Sequence, residues 1–188
     1  MARFLALTLA FCAALTLPTL AQNSDNAHID ISTDSGDLHV GKDADASKAG
    51  LPLYPGARLK SGDDKNDQAN LSLLTDAFGM KLIVAHYVSD DAPAKVLDFY
   101  RGKLKRYGKV LECHSQRHGG VDVHDDDKDS DSSKGKELKC EQDSGPVVEL
   151  KAGTEDNQHV VAVESAENGK GTSFALVYVH TRGKKGEI

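Results

Sequence analysis

Apolar residues in this chain return mostly at every second position, the spacing of a strand with one buried face, and in one stretch at every third and fourth, the spacing of a helix. Ile29 and Ile31, then Leu38 and Val40, alternate with polar neighbours on either side of Asp34-Ser35-Gly36, which predicts a short hairpin. Residues 69–75 and 80–88 predict a strand pair about Asp76-Ala77-Phe78-Gly79. In the second strand Leu82, Val84 and Val88 alternate with Ile83, Ala85 and Tyr87, so both faces are apolar and the strand belongs inside a sheet, covered on two sides. Strand character returns at 109–114 and 137–141. It returns again at 147–151, 159–163 and 173–180, three antiparallel strands joined by polar, glycine-containing turns.

The helical stretch is the one carrying Val96, Phe99, Tyr100, Leu104 and Tyr107. Ser89, Asp90 and Asp91 offer N-cap oxygens before it, Pro93 suits its first turn, and Gly108 is its expected stop. Strands, one helix, then strands, without βαβ alternation, predict an α+β domain: an antiparallel β-sheet with one long α-helix packed on a face, preceded by a short N-terminal hairpin. Lys42 to Gly50 reads as a polar linker, and Leu51-Pro52-Leu53-Tyr54-Pro55-Gly56-Ala57 as an extended, turning segment barred from a central strand by its prolines.

The first residues change the address. Arg3 is followed by an apolar run from Phe4 to Leu17, then Pro18, with small residues Thr19 and Ala21 placed for cleavage before Gln22. That predicts a signal peptide over 1–21, too short for a membrane span, and an exported body. The division expected is therefore 1–21 signal peptide, 22–50 polar segment and hairpin, 51–182 α+β domain with a polar insertion at 115–136, and 183–188 flexible tail. Removing one basic residue moves the net charge from −6 to −7, a surface that repels nucleic acid. Cys12 leaves with the signal, and the remaining pair, Cys113 and Cys140, predicts a disulfide flanking the insertion.

The insertion concentrates the chemistry-bearing side chains: His114, His118 and His124 among many aspartates. Asp127-x-Asp129-x-Asp131 matches the opening of a calcium loop, but Ser132 stands where the turn needs glycine and Leu138 where a glutamate should close the shell. Weak divalent-metal binding by these six residues is one reading. A solvated acidic loop is the reading preferred, and no other cofactor is expected. No serine sits in a nucleophile elbow, and the disulfide would consume Cys113 beside His114. Gly169-Lys170-Gly171-Thr172 reads as a turn rather than a phosphate loop, since Glu164 stands where the first glycine should be. Asp90 and Asp91 are explained by capping, His86, His159 and His180 by strand positions, and most tyrosines by core spacing.

Leu51-Pro52-Leu53-Tyr54-Pro55-Gly56-Ala57, then Asp90-Asp91-Ala92-Pro93 and Phe99-Tyr100-Arg101-Gly102-Lys103-Leu104, resemble in this order the pattern of a group of exported bacterial proteins of unknown function. The resemblance runs from about Ile29 to Val179, with the insertion least alike. It implies a secreted α+β domain and carries no functional residues over. The expectation is a secreted or periplasmic, non-enzymatic binding domain whose partner is an envelope protein or polymer. Metal binding by the insertion is the alternative. A second alternative, an enzyme, needs a pocket lined by at least two of His86, His159, Glu149, Asp98 or the tyrosines.

Overall fold

The computed structural model describes residues 28–60, 68–116, 137–140, 144–166 and 169–183. The signal peptide, the loop at 63–67, the insertion from residue 117 to 136 and the tail from residue 184 lie outside them. Strands β1 (Ile29–Thr33), β2 (Gly36–Gly41), β3 (Arg58–Leu59), β4 (Gln68–Thr75), β5 (Gly79–Ser89), β6 (Leu111–Ser115), β7 (Val147–Thr154), β8 (Asn157–Ser165) and β9 (Thr172–Arg182) form one nine-stranded sheet. Its order is β1-β2-β4-β5-β9-β8-β7-β6, with β3 beside β5, and every pairing is antiparallel. β1 and β2 thus do not precede the sheet. They are its first two strands, because β2 pairs with β4 along its whole length.

The sheet carries one helix, α1 (Pro93–Leu104), of 12 residues, and a 3-residue 3₁₀ turn (Lys105–Tyr107). It is shorter than the apolar stripe suggested, because Leu104 ends the α-helix and the stripe reaches Tyr107 only through the tighter turn. Gly108, at φ 129°, then reverses the chain. The expected acidic cap is absent. Ala92 is the N-cap and makes no side-chain cap bond, while Asp90 pairs with Arg58 at 3.0 Å and Asp91 accepts from Tyr54 Oη at 2.9 Å and Lys95 Nζ at 2.7 Å. These carboxylates hold the segment at 54–58 against the helix start instead. Pro93 does open the helix.

α1 packs on β7, β8 and β9, burying Val96, Tyr100 and Leu104 against Phe174, Leu176, Leu150 and Val161. Beside it runs the stretch read as a polar linker. Ala44, Ala46, Ala49 and Leu51 are all at most 6% exposed, so residues 42–51 form a strap across the same face of the sheet. Alanines at 44, 46 and 49 lie flat on the sheet, while Asp43, Asp45 and Lys48 point away and bond one another and nearby backbone. The strap is pinned where Tyr87 Oη accepts from Ala46 N at 2.9 Å and Gln68 Nε2 donates to Ala44 O at 2.7 Å.

β5 is covered as expected on the helix side, with Ile83 and Ala85 fully buried, and on the other face Leu82 and Val84 join Val147, Val160, Ala175 and Val177. Residues 137–140 form no strand. Leu138 and Cys140 alternate in burial with Glu137 and Lys139, but the segment is joined to β6 by the Cys113–Cys140 disulfide rather than by a ladder. Gly169 to Gly171 is a bend leading into β9, where Ala166 N donates to Gly171 O at 3.2 Å and Gly169 N to Ala166 O at 2.8 Å.

Candidate functional site

The register of the first two strands fixes a polar cluster. Asp30 stands directly opposite His39, on the side of the hairpin away from Ile29 and Ile31. Asp30 Oδ1 takes a hydrogen bond from His39 Nδ1 at 2.5 Å, and His28 Nε2 lies 3.5 Å from Asp30 Oδ2. Just past β2 the chain turns into the strap, which brings Asp43 Oδ1 to 3.6 Å from His39 Nε2. Gly41 makes room for that approach: a Cβ there would stand 2.6 Å from Asp43 Oδ1 and 3.0 Å from His39 Nε2. His28, Asp30, His39, Lys42 and Asp43 line a cavity of about 260 Å³.

The charges in this cavity are tuned by its contacts. The Asp30 carboxylate bonded to His39 holds the imidazole above its ordinary pKa, against a smaller opposing effect of burial. Asp43 is held well below the usual carboxylate range, first by the hydrogen bond from Lys48 Nζ and then by that from Asn70 Nδ2 at 2.9 Å. His39 Nε2 is shielded from solvent and makes no hydrogen bond. The imidazole is therefore held between two carboxylates that are already engaged, with its second nitrogen closed off from solvent.

Asp30, His39 and Ser72 lie in one transverse row, continued by Lys81, His180 and Asn157. Acid, imidazole and hydroxyl in that order invite comparison with a nucleophilic relay, which needs the imidazole bonded to the hydroxyl. Here His39 Nε2 bonds to nothing and is aimed at Asp43, so Ser72 is not activated.

The side chains named for an enzymatic site are packed against one another in the core or spread over the two faces of the sheet. His159 is buried on the helix side, stacked on Tyr107 at 3.6 Å and Tyr178 at 4.8 Å, with Nδ1 bonded to Ala49 O at 2.9 Å. Burial pushes its pKa down, the bond to Ala49 partly opposing. Glu149 is buried on the opposite face, 3.2 Å from Lys151 Nζ, and accepts from Ser115 Oγ at 2.8 Å. His86 also falls on that opposite face by strand alternation, and Asp98 pairs with Arg101 on the exposed side of α1. Tyr54, Tyr87 and Tyr100 are core residues around Phe174.

Of the metal-site residues, His114 lies in β6, and His118, His124, Asp127, Asp129 and Asp131 lie outside the described residues. Among the described residues no three His, Cys, Asp or Glu side chains are grouped to hold a metal. Cys113 and Cys140 are disulfide-bonded, with Cα atoms 5.4 Å apart, and among the described residues no helix is long and apolar enough to cross a membrane. The disulfide fits an oxidising compartment outside the cytosol.

Apolar alternation in the hairpin marks only Ile29, Ile31, Leu38 and Val40, not the polar residues between them. The signal was there: a two-residue turn at Asp34-Ser35 sets Asp30 against His39.

Fold and site together define a disulfide-bonded, antiparallel β-sheet domain with one helix, and a polar cavity where its terminal hairpin meets the strap. No family model, no curated protein and no solved structure matches the chain.

Proposed function

We propose that this protein is an exported, non-enzymatic binding domain, delivered by a signal peptide over residues 1–21 to the periplasm or beyond, which holds a polar group of an envelope protein or polymer in the cavity beside its first hairpin. The observation that carries the reading is the convergence of His28, Asp30, His39, Lys42 and Asp43, acids and bases together, on an open cavity. A cavity of this size takes a side chain or a single sugar hydroxyl cluster rather than a drug-sized ligand, for which pockets run to several hundred Å³. Carboxylate acceptors beside imidazole and ammonium donors suit a polar, weakly charged group. The resemblance of the 51–57 and 90–104 segments to exported proteins supports the compartment.

The test is co-sedimentation of the mature protein with isolated bacterial envelope material, beside a His28→Ala/Lys42→Glu variant. Both side chains are exposed, so the variant should fold. Binding that falls at least threefold in the variant supports the cavity. Equal binding by both proteins removes the cavity from the reading, and no binding by either removes the binding reading itself.

A further inference from the structure

Among the described residues β1 ends the sheet, and none of them pairs with its outer edge. All five of its residues are exposed, Ile29 at 58% and Ile31 at 50%, and the adjoining Val40 at 39%. These three apolar side chains share the face opposite Asp30 and His39, and Leu38, Leu71 and Leu73 continue it inward, half-buried. An edge strand of a soluble protein is ordinarily blunted by charged side chains, lysine above all, by proline, by a bulge or by being very short. The sequence Ile29-Asp30-Ile31-Ser32-Thr33 has neither lysine nor proline, its one charge, Asp30, is bonded to His39 within the hairpin, and its register with β2 runs without a bulge.

The hydrogen-bond phase of the sheet shows which backbone groups are open. Thr75 N donates to Phe78 O at 2.7 Å, closing the β4–β5 turn. Bonded and non-bonded pairs alternate in antiparallel ladders. Counting back from Thr75, Ser72 turns its backbone groups to His39 rather than Lys81, and His39 therefore turns none to Asp30. The N–H and C=O of Asp30 and Ser32 point out of the sheet.

We propose that a second copy of this chain pairs on that edge, β1 antiparallel to β1, about a twofold axis through Ile31. This inference does not depend on the cavity. The register follows from charge and pleat. With the axis at Ile31, Ile31 meets Ile31 of the second copy, Ile29 meets Thr33, Asp30 meets Ser32, and His28 stands across from Asp34. Asp30 and Ser32 then exchange backbone bonds in both directions. An axis at Asp30 sets two like charges directly opposite each other, which antiparallel pairs disfavour. A slip by one residue puts isoleucine beside aspartate and turns the two apolar faces to opposite sides. At Ile31 the apolar faces of both copies lie side by side on one continuous sheet, and the interface is isologous and closed, so assembly stops at two.

Sedimentation equilibrium of the mature chain over roughly 10–500 µM, the range suited to a small interface, should show the mass rising from one copy to two. Single cysteine variants test the register, since the native pair is already disulfide-bonded. Ile31→Cys should form disulfide-linked dimers under mild oxidation at least fivefold faster than Ile29→Cys or Asp30→Cys. Ile31→Lys should stay monomeric at all concentrations while keeping the near-UV circular dichroism of the parent. A parent that sediments as one copy throughout overturns the proposal, as does cross-linking that is equal at the three positions or fastest at Asp30.

Discussion

The two ends of the sheet are built on different principles. At the β6 end, Cys113 is fully buried and covalently tied to Cys140, whose Sγ lies 3.6 Å from Glu112 O. Glu112 is paired with Arg101 of the helix, and Ser115 bonds Glu149. The β1 end has no covalent tie. It has a hairpin turn, an imidazole between two carboxylates and a row of exposed isoleucines. One end is closed by bonds independent of mild pH and of partners, the other by contacts that respond to both. Local stability in a domain follows such differences, and the less fixed end is where binding surfaces are drawn from.

The largest effect that should separate the ends comes from Glu149, whose carboxylate sits directly across from Cys113 and is 6% exposed. Glu149→Leu leaves the Lys151 ammonium buried without its counter-ion and should cost about 3–4 kcal/mol in urea unfolding, within the range for breaking a buried pair. Adding Lys151→Met should restore most of that loss. A single variant as stable as the parent would mean the pair does not hold this end. Next in size, Cys113→Ala/Cys140→Ala opens a loop spanning 27 residues and should cost about 3 kcal/mol, measured the same way. The β1 end should be cheaper to damage: Ile29→Ser, already more than half exposed, should cost under about 0.5 kcal/mol as surface substitutions do. A cost as large as that at the cysteines would erase the contrast.

This asymmetry was only half legible in the sequence. Alternation and turn residues located the strand pairs 29–40, 69–88 and 147–180, because a half-buried strand must repeat its burial every second residue whatever its partners. The disulfide followed from counting cysteines. Residues 42–50 were not legible: a strap needs small side chains against the sheet, and Ala44, Ala46 and Ala49 among charges carry little hydrophobic signal, although all three are buried in the core. Asp90 and Asp91 misled for a related reason. Acids before a helix suit a cap, but Arg58, Tyr54 and Lys95 are stronger partners, and only the fold brings the first two near. The cavity is a matter of register and of the chain leaving β2 at Gly41. Only the Asp30–His39 pairing was available from the turn.

The finest distinction between the ends is their response to pH. The pKa of His39 is raised in the folded protein, chiefly by its bond to Asp30, and that of His159 is lowered, chiefly by burial. A raised histidine pKa stabilises the folded state fully below the unfolded value of about 6.5, and that contribution is lost as pH rises through the folded value. A lowered one acts in the opposite sense: stability is lost as pH falls below about 6.5, where the unfolded chain takes up a proton that buried His159 resists. In the window above about pH 6.5 His159 becomes neutral in both states and the carboxylates are ionised in both, so a decline of stability with rising pH is the mark of His39. The parent should lose a small amount of thermal stability across that window, on the order of a degree or two, as an ion pair at a largely exposed site allows. His39→Asn should flatten the decline, and Cys113→Ala/Cys140→Ala should lower the whole curve without changing its slope. A decline that persists in His39→Asn would place the titrating group elsewhere and leave the β1 end no more pH-sensitive than the β6 end.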